Sequence, residues 1–300
     1  MQVYLAAVQA RLDPGHYKSE EAFAEYVFSL LSPLPKEGPK VVAFPELFGL
    51  PLLFWWQSEP KESLIKELFA WAKRAGPRAL LGPLAFYRER ARAAWPIFLK
   101  TMARAAREHG AYLFSGTWFA PRLDEEPSRG LVAKTLLPRN WGFWLNPKGR
   151  VLARPEKTEL MPQERLALVR PGSREGLVVK TRLFPIATLI CLDAFFEGLV
   201  ELADQRGARV LVQPSANPAP WTRPWPPEPN LKEGEAWRRY GLLEKLRGRE
   251  NLLFGVNPML TGELYDLTFE GKSSVVKAGE LLAEAKDERG EELVGAWVEL

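Results

Sequence analysis

Short runs of almost wholly apolar residues, separated by stretches with helical periodicity, limit what this chain can fold into more than any other feature. Val41–Phe44, Ile186–Ile190 and Val210–Gln213 have the length of buried strands and are too short for buried helices. Val3–Gln9 opens the chain as a further strand. Between the first two runs, Ser19 is a good N-cap, with Glu20 and Glu21 in the first turn. Phe23, Tyr26, Val27, Leu30 and Leu31 then share one helix face. Strands interleaved with helices in this way favour an α/β or layered α+β architecture.

The same pattern continues along the chain. Helices are expected at Lys61–Arg74 and Trp95–Glu108, and strands near Ala79–Leu84 and over Ala111–Phe119. Gly142–Asn146 and Val151–Ala153 read as a hairpin around Pro147-Lys148-Gly149. Leu177–Thr181 and Leu183–Leu192 make a strand pair, and a helix from about Phe196 ends at the C-capping Gly207. Ala236, Trp237, Tyr240 and Leu243 share a helix face that ends at Gly248. Leu252–Val256, Ser273–Lys277 and Leu293–Leu300 are the closing strands. With no internal repeat and no Gly/Ser linker, residues 1–300 read as one domain.

A chain of 300 residues, 46% hydrophobic, needs neither disulfide nor metal to build a core. Cys191 is the single cysteine, which removes any intramolecular disulfide and any multi-thiolate zinc site. Two histidines, His16 and His109, leave little room for a His-rich metal site. The net charge of +4 argues against nucleic-acid or membrane partners. The most apolar windows, Gly49–Trp56 and Ile186–Phe196, fall short of the ~18–20 residues of a membrane span. The opening residues lack a basic leader before an apolar core, so no signal peptide and a cytoplasmic location are expected. Four Met and one Cys beside 26 Pro give a thermophile-like composition.

Three polar residues stand at the C-terminal ends of strand runs, the rim where open α/β sheets handle ligands. They are Glu46 after Val41–Pro45, Lys157 after Arg150–Glu156, and Cys191 after Ile186–Ile190. Singly each has an ordinary reading: a solvated turn glutamate, a lysine in a charged run, an inert core cysteine. The surroundings of Cys191 point further, because the strand stops at Cys-Leu-Asp and a helix begins within a few residues. Helix amides at such a turn favour a thiolate and face any oxyanion formed there. With so little histidine, a base has to be a carboxylate and a cation Lys or Arg.

Together Phe44-Pro45-Glu46, Lys157 and Cys191-Leu192-Asp193 resemble the Glu–Lys–Cys triad of the nitrilase superfamily, the carbon–nitrogen hydrolases. The resemblance spans nearly the whole chain. Gln9 at the end of the first strand, Asn146–Val151 before the lysine, and Glu164 with Pro171-Gly172 are similar to family motifs. So are Gly207-Ala208, Gln213–Ala216, Arg249-Glu250-Asn251 and Phe269–Ser274. The resemblance implies an α-β-β-α sandwich that assembles as a homodimer or higher homo-oligomer, without cofactor. It also implies roles: Cys191 as nucleophile and Glu46 as general base and later acid. Lys157 and the backbone N–H of Leu192 would stabilise the oxyanion, and Glu164 would orient Lys157 or the attacking groups.

The implied reaction is hydrolysis of a small non-peptide amide, releasing ammonia through a cysteine thioester. The runner-up is hydrolysis of an N-carbamoyl compound, although Phe195 stands where many members carry an arginine, which counts against N-carbamoyl amino acids; a nitrile is third. Glu159 replaces the histidine of the Lys-x-His-Leu pattern. A catalytically idle assembly subunit is the rival from another class. Trp118, Phe195 and Trp221 are candidate pocket residues, with Trp118 and Trp141 open between pocket and core. Pro214–Pro229, with Trp221 and Trp225, reads as either a rigid surface loop or a lid.

Overall fold

The computed structural model describes residues 1–54, 82–126 and 130–300. Two sheets form its centre. The first has eight strands; Gln2–Leu12 pairs in parallel with Lys40–Ala43, which pairs in parallel with Ala111–Ala120. Arg139–Leu145 and Val151–Ala153 extend this sheet antiparallel on one side. Glu292–Glu299 runs antiparallel to the first strand over residues 2–9, and Leu260–Leu264 takes over beside residues 10–12. The second sheet has six strands around the parallel set Pro185–Thr188, Val210–Val212 and Phe254–Asn257.

Alternation along each strand sorts side chains between three apolar layers. Val3, Leu5 and Ala7 point at the second sheet, where they meet Ile186, Val210, Val212 and Val256. Ala6, Val8 and Val42 point the other way, onto the helices Glu20–Leu31 and Gly82–Glu108. Ala187 and Leu211 face the helix Glu197–Gln205 and the short helix Leu242–Lys245 on the far side. The central strands are thus buried on both faces, which explains why they read as unbroken apolar runs. The sheets are also tied by a hydrogen bond: the Trp144 indole donates to Thr188 Oγ1 across the sandwich at 2.8 Å. This is the α-β-β-α layering that the family resemblance implied.

Most expected elements are present, and Ser19 caps its helix by accepting from the Ala22 N–H at 3.1 Å. Three regions differ. Gly82–Leu84, read as the end of a strand, opens the helix Gly82–Glu108, where Pro83 fits because early helical positions need no N–H donor. That helix continues through Pro96, which lies on its exposed side and so loses its hydrogen bond towards water. The helix expected to end at Gly248 breaks at Gly241, where a Cβ would come within 2.2 Å of the Trp237 carbonyl oxygen. Leu260–Leu264, Leu267–Phe269 and Glu280–Glu284 are strands too short, and too interrupted by Gly, Thr or Glu, to stand out in the sequence. Lys61–Arg74 and Ala79–Leu81 lie outside the described residues.

Candidate active site

The carboxyl ends of the two parallel sets meet at one end of the sandwich. Glu46 follows Lys40–Ala43 in the first sheet, and Cys191 follows Pro185–Thr188 in the second. Lys157 lies beside the start of Arg139–Leu145, its N–H donating to the Asn140 carbonyl at 2.8 Å. These residues come from 111 and 34 positions apart in sequence and converge in one buried cluster. Lys157 Nζ lies 2.7 Å from Glu46 Oε1 and 2.8 Å from Glu164 Oε2. The Cys191 thiol is buried in the same cluster, close enough to Glu46 for each to shift the other's pKa.

Two groups that sequence reading missed complete the cluster. The Asn140 amide donates from Nδ2 to Glu46 Oε1 and to Glu164 Oε1, both at 2.8 Å, and so bridges the two carboxylates. The backbone N–H of Ala216 reaches Glu46 Oε2 at 3.1 Å and also faces the cysteine sulfur. An asparagine at the start of a strand and an alanine N–H carry no signal of their own; only the register of the sheets brings them here.

Two of these residues have unusual backbone. Leu47, next to Glu46, has φ of 62°, and Cys191 has φ of 50°. The left-handed region is uncommon for residues with a Cβ and costs on the order of 1–3 kcal/mol. Local hydrogen bonds hold both. The Leu47 N–H donates to Thr117 Oγ1 at 2.9 Å. The Cys191 N–H donates to the Pro214 carbonyl at 2.9 Å, and its own carbonyl accepts from Gln213 Nε2 at 3.1 Å. Asp193 adds a third restraint: its carboxylate accepts from the N–H groups of Thr158, Glu159 and Ile190 and from the Thr158 hydroxyl. The lysine loop and the cysteine turn are therefore fastened to one carboxylate. Burial pushes the Asp193 pKa up to about 6 against these donors.

The electrostatics set the resting protonation. Burial, followed by the Glu46 charge, pushes the Cys191 thiol well above its usual range, with Lys157 opposing. Here the structure corrects the sequence expectation that helix amides would favour the thiolate: Cys191–Phe195 is a single turn of 3-10 helix, and desolvation dominates. Glu46 is also raised, chiefly by burial, against the attraction of Lys157. Lys157 is pulled down by burial, but Glu46, Cys191 and Glu164 outweigh this and keep it protonated. The cluster thus holds a neutral thiol beside Glu46, with a fixed ammonium next to both.

The cluster opens into a cleft of ≈ 240 Å³. Leu192 lines it from the first turn of the 3-10 helix, where N–H groups lack an intrahelical acceptor. Phe195 lines it too, with Trp237 set edge-on at 5.1 Å. Trp118 lies elsewhere: it is fully buried among Trp95, Phe98 and Trp141 in the helix–sheet core. Trp221 is also not a wall of this cleft; it packs behind Trp237 at 6.3 Å, and Trp225 is the loop indole that reaches the cleft. Among the described residues, no group of three or more His, Cys, Asp or Glu side chains is arranged to hold a metal ion.

The sequence profile described as carbon-nitrogen hydrolase matches residues 4–296. The chain belongs to this family. It is a member of the nitrilase superfamily and an enzyme that acts on carbon–nitrogen bonds. Solved structures of the superfamily share its fold. An amidase from Nesterenkonia sp. AN1 is 21% identical, with a TM-score of 0.63 over 100% of this chain and 93% of that one. A carbon-nitrogen hydrolase from Helicobacter pylori G27 is 18% identical, with a TM-score of 0.66 over 99% of this chain and 88% of that one. Nit3 of Saccharomyces cerevisiae is 17% identical, with a TM-score of 0.63 over 99% and 90%. A comparison with curated protein sequences found no match. Among the described residues, no helix of this carbon–nitrogen hydrolase is long and apolar enough to cross a membrane.

Proposed function

We propose that this carbon–nitrogen hydrolase cleaves a small non-peptide amide, releasing ammonia by way of a thioester on Cys191. The observation that carries the reading is the burial of the Cys191 thiol beside Glu46, whose carboxyl group is hydrogen-bonded to the Lys157 ammonium at 2.7 Å. A thiol with a raised pKa is a poor nucleophile by itself, so a base has to take its proton as attack begins. Glu46 accepts that proton while sulfur bonds to the amide carbon, and the carbonyl oxygen gains the negative charge. Lys157 and the Leu192 N–H stabilise that oxyanion in a site largely closed to water. The proton on Glu46 then passes to the amide nitrogen, the C–N bond breaks, and ammonia leaves. In the second half Glu46 takes a proton from water, hydroxide adds to the thioester, and the thiol is restored. Lys157 stays protonated throughout, and Glu164 and Asn140 keep it and Glu46 in place.

The family assignment supports the reaction class. A glutamate-to-glutamine mutant of one amidase of similar fold shows the result of Michael addition of acrylamide at its active-site cysteine. The test is ammonia release over an amide panel. Cys191→Ala is expected to abolish turnover of every accepted amide, with an acyl adduct on the wild-type chain detected by intact mass. Full turnover in that variant rules the thioester route out.

A further inference from the structure

We infer that the cleft admits small uncharged amides with an apolar acyl group and rejects anionic ones, and that Phe195 and Glu233 set this preference. The inference rests on the amide reading above. Its basis is how polarity is distributed around the cleft. The reacting cluster occupies one end, and Leu50, Phe119, Phe195, Trp225, Trp237 and Phe269 supply apolar wall beyond it. At ≈ 240 Å³ the space lies below the ~300–1,000 Å³ of sites for drug-sized ligands, which limits the acyl group to a short chain or a single ring.

The charges point the same way. Among the described lining residues, Lys157 is the one cation, facing the carboxylates of Glu46, Glu164 and Glu233. Two of its three N–H groups are taken by Glu46 and Glu164 at 2.7 and 2.8 Å, and the third serves the reacting carbonyl in the reading above, so no donor remains for a substrate carboxylate further along the cleft. Glu233 is 7% exposed and is paired with Arg223 at 3.3 Å. Arg223 is 46% exposed, so water screens its charge more than that of the carboxylate facing the cleft. A carboxylate on the substrate would lose its hydration here and gain no partner. An alkyl or aryl group meets complementary wall instead, and each buried methylene is worth about a fourfold gain.

The experiment compares kcat/KM for propionamide, butyramide and hexanamide with that for succinamate and N-carbamoylglycine, following ammonia. The expected result is a rise of about fourfold per methylene until the cleft is full, with the anionic compounds at least 100-fold below neutral amides of equal length. Phe195→Arg places a cation in the wall and is expected to reverse the order; Glu233→Gln, a milder change, narrows the gap several-fold. Anionic amides used as well as neutral ones, with turnover still lost in Cys191→Ala, overturn the inference and leave the amide reading standing. A panel that yields no ammonia from either class overturns the amide reading. Alkylation then decides the charge preference: relative to free cysteine, iodoacetamide should label Cys191 at least tenfold faster than iodoacetate. Equal normalised rates sink the inference.

Discussion

Glu46 works at the limit of what one carboxylate can accept. Its two oxygens take hydrogen bonds from Lys157, Asn140 and Ala216, and the Cys191 thiol adds a fourth contact. The same charge that makes it a base for the thiol also raises the thiol's pKa, second only to burial. The sign of the pH effect follows. With the thiol pKa raised, the thiolate fraction at neutral pH is below that of free cysteine, so alkylation of Cys191 should climb with pH through pH 9 without a plateau. Glu46→Gln removes the opposing charge while Lys157 remains, so the alkylation profile should shift to lower pH. Ammonia release should meanwhile fall by about 10²–10⁴ for lack of a base. Initial rates of iodoacetamide labelling across pH 6–9, beside turnover, check both halves. A purely structural glutamate would lower turnover without moving the thiol profile.

Among the elements, the hairpin Pro224–Trp225 with Glu228–Lys232 brings one wall to the cleft through Trp225, which stacks on Tyr240 at 5.2 Å. Its base is fixed where the helix Glu233–Tyr240 begins. The Glu233 N–H donates to the Arg223 carbonyl at 2.8 Å and the Gly234 N–H to the Trp221 carbonyl at 3.0 Å. From the other side, Glu270 accepts from the Trp221 N–H at 2.7 Å. Trp221 therefore anchors the hairpin instead of touching substrate. A Cβ on Gly234 would lie 2.3 Å from the Trp221 indole nitrogen, which forces the anchor to move. Gly234→Ala should raise KM several-fold and leave kcat within about threefold, because the reacting cluster sits on other elements. Steady-state kinetics separate the two constants, and an unchanged KM contradicts the hairpin's part in binding.

For the whole molecule, the sandwich places its reacting groups on three segments that no local structure holds together. Asp193 joins the lysine loop to the cysteine turn, and Asn140 joins the two carboxylates. Such a site is only as rigid as the packing of the two sheets, which is where a second copy of the chain would add support. Trp297, on the strand Glu292–Glu299, is 47% exposed, and Leu281, on Glu280–Glu284, is 44% exposed. Light scattering at low micromolar concentration should give the mass of at least two chains. A monomer mass rejects the homo-oligomer implied by the family resemblance.

The sequence by itself determined the layers and the residue types that gather in the buried cluster. Runs such as Val41–Phe44 and Val210–Val212 have one physical solution, burial on both faces of parallel strands, and Glu46 and Cys191 are legible because each ends such a run. Tertiary structure alone decided what surrounds them. Trp118 and Trp225 are equally aromatic in sequence, yet one is core and the other lines the cleft, because strand register and hairpin anchoring aim them differently. The same holds for protonation. A cysteine at a strand-to-helix turn suggests a thiolate from local dipoles, but burial depth and the nearness of Glu46 override them, and both are properties of packing between distant segments.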